Sequence, residues 1–343
     1  MAERVIDPTK PVAAVIGGGA WGTTFAKVLS DAGCPEVRLW AREVEVAHDV
    51  HENHRNSQFL NGVELPPDIL GTANPIAALA GAQLVILAIP SQVARKALEP
   101  MASLIEPDAI VGCLMKGVEL GTGKLMSEVA QEALNLPESR VVAISGPNLA
   151  REIAAEQPAA TVVASTNPEA AEFVAHACQN SYFRPYTNDD VTGVELCGAI
   201  KNVIALAVGI AFGAGYGWNT IATLITRGLA EMTRLGMAMG AKPATFQGLA
   251  GMGDLTATCA SPLSRNHALG ERLGQGMSLE DALGASGGVA EGVKSSESVL
   301  ALADSLGVEM PITAAVVGVL TGQIKIDELG PQLLNRPRKA EGE

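Results

Sequence analysis

The apolar positions in the first half of the chain fall into short continuous runs, separated by segments of helical length. These runs span residues 12–16, 37–40, 84–89, 109–114, 141–145 and 161–164. They are aliphatic rather than alternating in polarity, which is typical of strands covered on both faces of a parallel sheet. Helical segments such as 23–32 and 122–134 lie between them, with Gly33 at the position of a helix C-terminal glycine. The pattern predicts a doubly wound α/β domain, with a further edge strand at 182–186.

The pattern changes after about residue 188, where strand-like runs give way to Ala-, Gly- and Leu-rich helical segments. Asp190 and its two predecessors supply N-cap side chains for a long helix that begins near Val191. This helix is apolar nearly all round, so we expect it to be buried between domains or against a partner. With 343 residues, the chain is too long for one ordinary core. We therefore expect a Rossmann-type domain at 1–188, an all-α domain at 189–330 and a loose tail at 331–343.

Residues 203–226 carry no charge and are long enough to span a bilayer, so a membrane helix has to be considered. Several glycines interrupt this stretch, and its aliphatic part ends near Phe212. We expect a buried core helix and no integral membrane segment. The amino terminus lacks the apolar region of a signal peptide, which favours a cytoplasmic protein.

Composition and charge exclude several classes of protein. The 37 acidic and 24 basic side chains leave a net charge of −13, which argues against nucleic acid or an anionic membrane as a partner. A 48% share of hydrophobic residues excludes global disorder. The five cysteines are far apart and never in a C-x-x-C spacing, so neither a disulfide framework nor a zinc site is expected.

A histidine series also suggests a metal site at first sight. His48, His51 and His54 are spaced three apart. Successive steps of three drift by about 60° around a helix, so the side chains would not converge on one ion. We expect no bound metal.

The first apolar run leads directly into a glycine-rich turn, G-x-G-x-x-G, formed by Gly17, Gly19 and Gly22. Gly17 allows a tight turn, Gly19 lets a pyrophosphate approach the backbone, and Gly22 lets helix and strand pack closely. The N-terminus of the following helix would add unpaired N–H groups and partial positive charge. A glycine-rich turn without a ligand is the alternative, but this context favours binding of NAD or NADP.

The second strand ends in Trp40-Ala41-Arg42, where an NAD-selective site has an acid near the ribose. Arg42 could hold a 2′-phosphate in a bidentate fork, which favours NADP. Glu43 and Glu45 follow closely and could still reach a ribose hydroxyl, and a solvated arginine without a ligand is a further alternative. The choice between NADP and NAD stays open.

The long helix carries a candidate proton donor, Lys201, the only charged residue between Glu195 and Arg227. A lysine in such an apolar setting is costly to bury unless it is paired or used. Burial would lower its pKa towards working pH, as suits a general acid in carbonyl reduction and a base in the reverse reaction. Asp254, an isolated acid in a glycine-rich apolar loop, could pair with it. The alternatives are a lysine that extends to the surface and an ordinary turn aspartate.

Two further positions are candidates for binding an anionic substrate. Ser264, Arg265 and Asn266 precede a helical stretch, where a helix N-terminus and a guanidinium together could hold a phosphate. A capped surface helix is the alternative there. Lys116 follows the apolar run at 109–114 and so lies at the carboxyl edge of the sheet, where ligands bind in open α/β folds.

With these residues in place, the chain resembles the NAD(P)-dependent glycerol-3-phosphate dehydrogenases of bacteria almost from end to end. The matching segments are GGGAWGTTFA, LWAR, LAIPSQ, MKGVE, SGPNLAREI, ELCGAIKNVIALAVG, GLAGMGDLTATC, SRNHALGERLGQG and VAEGVKSSESV. The resemblance implies reversible reduction of dihydroxyacetone phosphate to sn-glycerol 3-phosphate, a precursor of membrane phospholipids. It also implies a Rossmann domain followed by an α-helical domain, NAD or NADP as the cofactor, and a homodimer.

The resemblance implies roles for individual residues as well. Lys201 matches the family's proton donor and acceptor. The matching substrate positions are Lys116, Gly146, Asn148, Lys201, Asp254, Ser264, Arg265 and Asn266. The matching cofactor positions are Ala20, Trp21, Arg42, Lys116, Ala150, Arg265, Val289 and Glu291. Two positions depart from the family pattern: Ala20 stands where serine is common, and Asn148 stands where serine or threonine is frequent.

Two other functions fit part of the pattern. A related two-domain dehydrogenase acting on hydroxy acids or sugar acids can also use a lysine and an asparagine on its first long helix. The segment from Ser264 to Asn266 and the Gly-Asp loop favour a phosphorylated substrate instead. A non-catalytic dinucleotide redox sensor would keep the glycines, but it has no need of a desolvated lysine beside an acid.

Overall fold

An eight-stranded sheet dominates the first half of the protein in a computed structural model that describes residues 9–285, 291–326 and 328–329. Its strands are β1 (Ala13–Ile16), β2 (Val37–Trp40), β3 (Ile69–Thr72), β4 (Leu84–Leu87), β5 (Ile110–Cys113), β6 (Val141–Ser145), β7 (Ala159–Ala164) and β8 (Phe183–Asn188). Across the sheet their order is β3-β2-β1-β4-β5-β6-β7-β8, and neighbouring strands are parallel except β6 and β7. This confirms the doubly wound α/β domain predicted from the apolar runs.

Helices cover both faces of the sheet and form the second half of the described chain. In chain order they are α1 (Ala20–Asp31), α2 (Val44–Asn53), α3 (Pro75–Leu79), α4 (Ala94–Leu98), α5 (Met126–Leu134), α6 (Ala150–Ala154), α7 (Pro168–Cys178), α8 (Val191–Gly213), α9 (Trp218–Ala238), α10 (Pro243–Gln247), α11 (Asp254–Ala260), α12 (Arg265–Gly274), α13 (Leu279–Gly284), α14 (Glu291–Ser305) and α15 (Pro311–Leu320). No strand follows β8 in the described residues. The predicted change from an α/β to an all-α segment is confirmed.

Three elements differ from the prediction. The sequence pattern omits β3, a sheet-edge strand that contains Gly71 and a half-exposed Leu70 and so lacks a continuous apolar run. The helix expected over 122–134 begins only at Met126. Strand β7 runs antiparallel to β6, which the apolar runs do not indicate because a buried apolar run looks the same in either strand direction.

Helix α8 is the centre of the helical part. Asp190 caps it by accepting the Gly193 N–H at 3.0 Å, as predicted. The helix packs against α9, α11, α12, α14 and α15 and contacts β6. By length and composition it could cross a membrane, but 83% of its most apolar window is buried inside the protein. This burial is what the core helix of a globular domain shows, as the glycine interruptions suggested.

Helices α8 and α12 approach each other unusually closely because glycines line their contact. A Cβ added at Gly209 would lie 2.2 Å from the His267 carbonyl oxygen, and one at Gly270 would lie 2.3 Å from the Leu206 carbonyl oxygen. Any side chain at these positions would force the helices apart. The contact therefore brings the start of α12 against the middle of α8.

Candidate active site

The glycine-rich turn joins β1 to α1 at the point where strand order reverses between β1 and β4. A Cβ at Gly17, whose φ is +130°, would lie 2.4 Å from the Ala88 carbonyl oxygen, and one at Gly22 would lie 2.0 Å from the Gly17 carbonyl oxygen. Gly19 has open space around its Cβ position, and no side chain caps the N-terminus of α1. Backbone N–H groups at this helix end can thus receive a pyrophosphate, so the turn fits a dinucleotide.

A buried asparagine that the sequence analysis did not identify supports this turn. Asn56 is 1% exposed and donates from Nδ2 to the Gly18 carbonyl oxygen and to Thr23 Oγ1, both at 2.8 Å. It holds the two sides of the turn together. No spacing pattern points to it, because its partners lie more than thirty positions earlier in the chain.

Four of the other predicted cofactor positions, Ala20, Trp21, Arg42 and Ala150, lie on elements next to this turn. Ala20 and Trp21 are the first residues of α1, and Trp21 packs edge-on against Phe25 with ring centroids 5.6 Å apart. Ala150 begins α6, and its carbonyl oxygen accepts the Thr24 hydroxyl at 3.2 Å, so α6 lies directly beside α1. Arg42 follows β2 and is exposed, with its guanidinium 2.6 Å from a Glu43 carboxylate oxygen. Val289 lies outside the described residues.

Two lysines and one aspartate meet between the sheet and the helices. Lys201 Nζ lies 2.5 Å from Asp254 Oδ1, and Lys116 Nζ lies 2.7 Å from Asp254 Oδ2. Lys201 is 7% exposed and Asp254 is 1% exposed. Lys116 follows the carboxyl end of β5, Lys201 lies mid-way along α8, and Asp254 begins α11 after the turn Leu249–Gly253. The predicted pairing of Lys201 with Asp254 is present, and the predicted surface alternative for Lys201 is wrong.

Burial governs the protonation of this cluster. It lowers the pKa of Lys201 to about 8; Asp254 opposes this lowering, and the Lys116 ammonium adds to it. Burial alone would raise the pKa of Asp254, but the two ammonium groups outweigh it and hold that pKa below its ordinary range. Near neutral pH the cluster therefore holds an ionised carboxylate and a lysine able to give or take a proton.

Thr258 is a further member of the cluster that the sequence analysis missed. Its hydroxyl accepts a hydrogen bond from Lys201 Nζ at 2.9 Å and donates to the Asp254 carbonyl oxygen at 2.6 Å. It lies four positions after Asp254 on α11, so a helical spacing rule could have placed both side chains on one face. Together Asp254 and Thr258 direct the Lys201 ammonium.

The residues after β6 line the same edge of the sheet. Gly146 follows β6, where an added Cβ would lie 3.1 Å from Thr161 Cα. Asn148 donates to the Ala160 carbonyl oxygen at 3.1 Å and accepts the Thr161 hydroxyl at 2.9 Å. These two hydrogen bonds hold the loop after β6 against β7.

The start of α12 brings the predicted phosphate-binding segment beside Lys201. Ser264 is the N-cap and accepts the His267 N–H at 3.2 Å, while Arg265 is exposed. Asn266 is buried and donates to Asn202 Oδ1 at 3.0 Å, and Asn202 is the residue after Lys201 on α8. Arg265 is therefore the exposed first residue of a capped helix, and a buried amide pair holds this helix start against α8.

Glu291 lies beside the start of α12. It begins the described part of α14, and the next residue, Gly292, donates its N–H to Asn266 Oδ1 at 2.9 Å. Burial raises the pKa of Glu291, and this effect exceeds the lowering by the positive charges of Arg265, Lys116 and Lys201. The predicted cofactor position at Glu291 thus faces the same cations as the predicted substrate positions.

No group of three or more His, Cys, Asp or Glu side chains able to hold a metal occurs within the described residues. His48 and His51 are exposed on α2, and His54 follows the helix in a left-handed conformation. All five cysteines are buried, and none forms a disulfide.

The sequence matches a known enzyme family over nearly its whole length. The sequence model described as the N-terminus of NAD-dependent glycerol-3-phosphate dehydrogenase matches residues 12–171, and the model of the C-terminus matches residues 190–330. A protein of Corynebacterium jeikeium named glycerol-3-phosphate dehydrogenase (NAD(P)+) is 54% identical over 329 residues, covering 96% of this chain and 99% of its own. One of Streptomyces griseus with the same name is 55% identical over 313 residues, covering 91% and 93%.

Solved structures agree with this match. The crystal structure of a glycerol-3-phosphate dehydrogenase from Coxiella burnetii is similar with a TM-score of 0.91 and 36% identity, covering 96% of this chain and 100% of that chain. A ketopantoate reductase from Ralstonia eutropha is similar with a TM-score of 0.56 and 18% identity, covering 93% and 99%. The second likeness concerns the fold alone.

Proposed function

Because the chain belongs to the NAD-dependent glycerol-3-phosphate dehydrogenase family, we propose that it interconverts dihydroxyacetone phosphate and sn-glycerol 3-phosphate with NAD(P)H or NAD(P)+. The observation that carries the proposal is the buried Lys201–Asp254–Lys116 cluster at the sheet edge that also holds the glycine-rich turn. A cluster of this kind suits protonation of a carbonyl oxygen in a dry site. The product is a precursor for glycerophospholipid synthesis.

When bound, the reduced dinucleotide supplies the hydride for the ketone carbon. Gly17, Gly19 and Gly22 would hold its pyrophosphate at the N-terminus of α1. We assign further cofactor contacts to Ala20, Trp21, Arg42, Lys116, Ala150, Arg265, Val289 and Glu291. The exposed Arg42 guanidinium, beside a glutamate, leaves room for either a 2′-phosphate or a 2′-hydroxyl.

Lys201 is the residue we assign to proton transfer. In reduction its ammonium donates a proton to the oxygen that gains negative charge, and in oxidation the neutral amine takes the proton from the alcohol. Asp254 and Thr258 restrict the ammonium to one direction, and Lys116 polarises the same oxygen with a second positive charge. The lowered pKa of Lys201, about 8, allows both directions near neutral pH.

The phosphate of the substrate is the group we assign to the start of α12. Arg265 can form a bidentate contact there, and the helix N-terminus adds partial positive charge. Asn266, Ser264, Gly146 and Asn148 complete the proposed substrate positions. The hydrogen bonds of Asn266, Ser264 and Asn148 to protein partners, and the close approach of Gly146 to Thr161, support a role in shaping the site.

Several broader assignments go with this function. We propose domains at 1–188 and 189–330, because β8 ends at Asn188 and α8 begins at Val191. The predicted tail at 331–343 lies outside the described residues. We also propose a homodimer in the cytoplasm, without nucleic acid or an integral membrane segment. Light scattering after size exclusion tests the dimer directly: a mass near twice that of the 35.3 kDa chain supports it, and a mass of one chain contradicts it.

A spectrophotometric assay at 340 nm tests the function. Dihydroxyacetone phosphate should oxidise NADPH or NADH, whereas unphosphorylated dihydroxyacetone at equal concentration should react at least ~10-fold more slowly because it lacks the charged group that Arg265 binds. Turnover of hydroxy-acid or sugar-acid substrates with none on dihydroxyacetone phosphate would favour the related dehydrogenases. Dinucleotide binding without any turnover would favour a redox sensor.

A further inference from the structure

A second buried acid lies on α8, about one and two-thirds turns before Lys201. Glu195 is 7% exposed, and its carboxylate contacts the start of α5 rather than the active-site cluster. Oε1 accepts the Ser127 N–H at 2.8 Å, and Oε2 accepts the Ser127 hydroxyl. Ser127 is the second residue of α5 and is itself buried. Glu195 thus caps a helix of the sheet domain from a helix of the other half of the protein.

The segment between β5 and α5 carries Lys116. It leaves the sheet after Cys113, and its part after Lys116 folds back on itself, so that Val118 bridges Leu125 just before α5. Val118 and Leu125 are buried in the same apolar cluster as Val194, the neighbour of Glu195. One end of the segment is held by the sheet, and the other by the contact between Glu195 and Ser127.

Lys116 itself lies directly on α8. A Cβ added at Gly198 would lie only 3.3 Å from Lys116 Cγ, so the lysine stem rests against the bare backbone between Glu195 and Lys201. Its ammonium and that of Lys201 share one carboxylate, and the two cations repel each other. A restraint at the start of α5, where the segment ends, opposes this repulsion, in addition to Gln92, which donates to the Val118 carbonyl oxygen at 2.8 Å.

We propose that Glu195 is a positioning residue for the reaction: by holding the start of α5 against α8, it sets the separation of the two lysines that share Asp254. The inference rests on the proposed function. It assigns to Glu195 no contact with substrate or cofactor. Its effect on the reaction passes through Lys116.

This role has a signature in the pH profile that loss of stability alone would not produce. The titratable groups facing Lys201 are Asp254, Lys116, Glu291 and Cys259. The Lys116 ammonium lowers the pKa of Lys201 and competes for Asp254. If Lys116 moves away, the pKa of Lys201 rises. The alkaline limb of dihydroxyacetone phosphate reduction, where Lys201 loses its proton, then moves to higher pH.

Glu195 itself faces Glu128 and Cys113. The variant Glu195→Gln controls for the loss of the carboxylate charge at position 195. It can accept the Ser127 N–H and donate to the Ser127 hydroxyl, so the link between α5 and α8 is kept without a carboxylate. Any effect shared by alanine and glutamine at this position would therefore come from charge, and an effect of alanine alone would come from the lost link.

The chain offers a matched control for the loss of a buried capping acid. Glu231 on α9 is 2% exposed and accepts the N–H groups of Ile312 and Thr313, at 2.7 and 3.3 Å, at the start of α15. It joins two helices as Glu195 does, but neither of them carries a proposed site residue. Glu231→Ala should lower the melting temperature without a change in the pH profile.

The experiment compares Glu195→Ala, Glu195→Gln, Ser127→Ala and Glu231→Ala with the wild type. We expect Glu195→Ala to lose about 10- to 100-fold in kcat/KM for dihydroxyacetone phosphate and to shift the alkaline limb to higher pH, with NADPH affinity by fluorescence kept within threefold. Glu195→Gln should stay within threefold of wild type. Ser127→Ala, which keeps the backbone contact, should show a smaller loss in the same direction and serves if Glu195→Ala does not fold.

Three outcomes overturn the positioning role: wild-type kcat/KM in Glu195→Ala, or in Ser127→Ala where that variant serves; an equal loss in Glu231→Ala; or an equal loss in Glu195→Gln. A wild-type protein that does not reduce dihydroxyacetone phosphate would contradict the proposed function instead. The two failures are therefore distinguishable in one series of assays.

Discussion

Replacing Asp254 by asparagine tests the electrostatics of the lysine cluster. The substitution keeps the size of the side chain but removes the carboxylate that Lys201 and Lys116 share at 2.5 and 2.7 Å. In the wild type the pKa of Lys201 is about 8, so reduction should fall above about pH 8 as the ammonium loses its proton. Oxidation of sn-glycerol 3-phosphate should rise through the same range.

The expected magnitude follows from the geometry. An opposite charge in direct contact with a buried group shifts its pKa by ~1–3 pH units, which corresponds to ~1.4–4 kcal/mol. Because Asp254 raises the pKa of Lys201, its loss should move the alkaline limb of reduction ~1–3 pH units towards lower pH. At pH 8 this lowers kcat/KM roughly 5- to 500-fold, with partial recovery in more acidic buffer.

The assay is kcat/KM for dihydroxyacetone phosphate with NADPH between pH 5 and 10. Asp189→Asn is the matched control, since Asp189 also lies 2.5 Å from a lysine, Lys242, but both side chains are exposed. The control should keep the wild-type profile, because exposed ion pairs are screened by solvent. An Asp254→Asn profile with an unmoved limb, or a limb at higher pH, would refute the reasoning.

Three further predictions concern other parts of the protein. Arg265→Ala should raise KM for dihydroxyacetone phosphate about 10- to 100-fold in the 340 nm assay while the melting temperature stays unchanged, since this arginine is exposed; an unaltered KM would mean that the phosphate binds elsewhere. Arg42→Ala should lose more affinity for NADPH than for NADH in fluorescence titrations, and equal losses would contradict a contact with the 2′-phosphate. Burial raises the pKa of Glu195 from 4.5 to about 7. Between these pH values the folded protein holds a proton on Glu195 that the unfolded chain has lost, so the stability of the fold falls as pH rises from 4.5 to 7. Urea unfolding should therefore show Glu195→Gln gaining up to ~3 kcal/mol over wild type across that range, and a constant difference would contradict the buried acid.

The sequence predicts elements whose burial is continuous and fails where an edge or a loop interrupts it. The run 12–16 is buried on both faces as β1, and the glycines after it have steric roles that follow from their order. Strand β3 is not predicted, because an edge strand needs no continuous apolar run. The reversed direction of β7 is also not predicted, because a buried apolar run looks the same whichever way the strand runs.

The candidate site was predictable where one residue contrasts with its surroundings. Lys201 is a charge in an apolar helix, and this contrast alone indicates a buried, paired lysine. The same argument applies to Glu195, but its position near the start of α8 makes it look like an ordinary end-of-helix acid. Asn56 forms polar contacts that only the folded chain creates, so no local pattern distinguishes it from other small polar residues. For Thr258 the one local signal is its position four residues after Asp254 on the same helix.

The most direct test of the account is single-turnover reduction by Lys201→Ala with NADPH already bound. Fluorescence should show that NADPH binding survives, while the absorbance at 340 nm should decay at least ~100-fold more slowly than in the wild type after dihydroxyacetone phosphate is added, because the proton donor is gone. Decay within tenfold of the wild-type rate would contradict the assignment of proton transfer to Lys201.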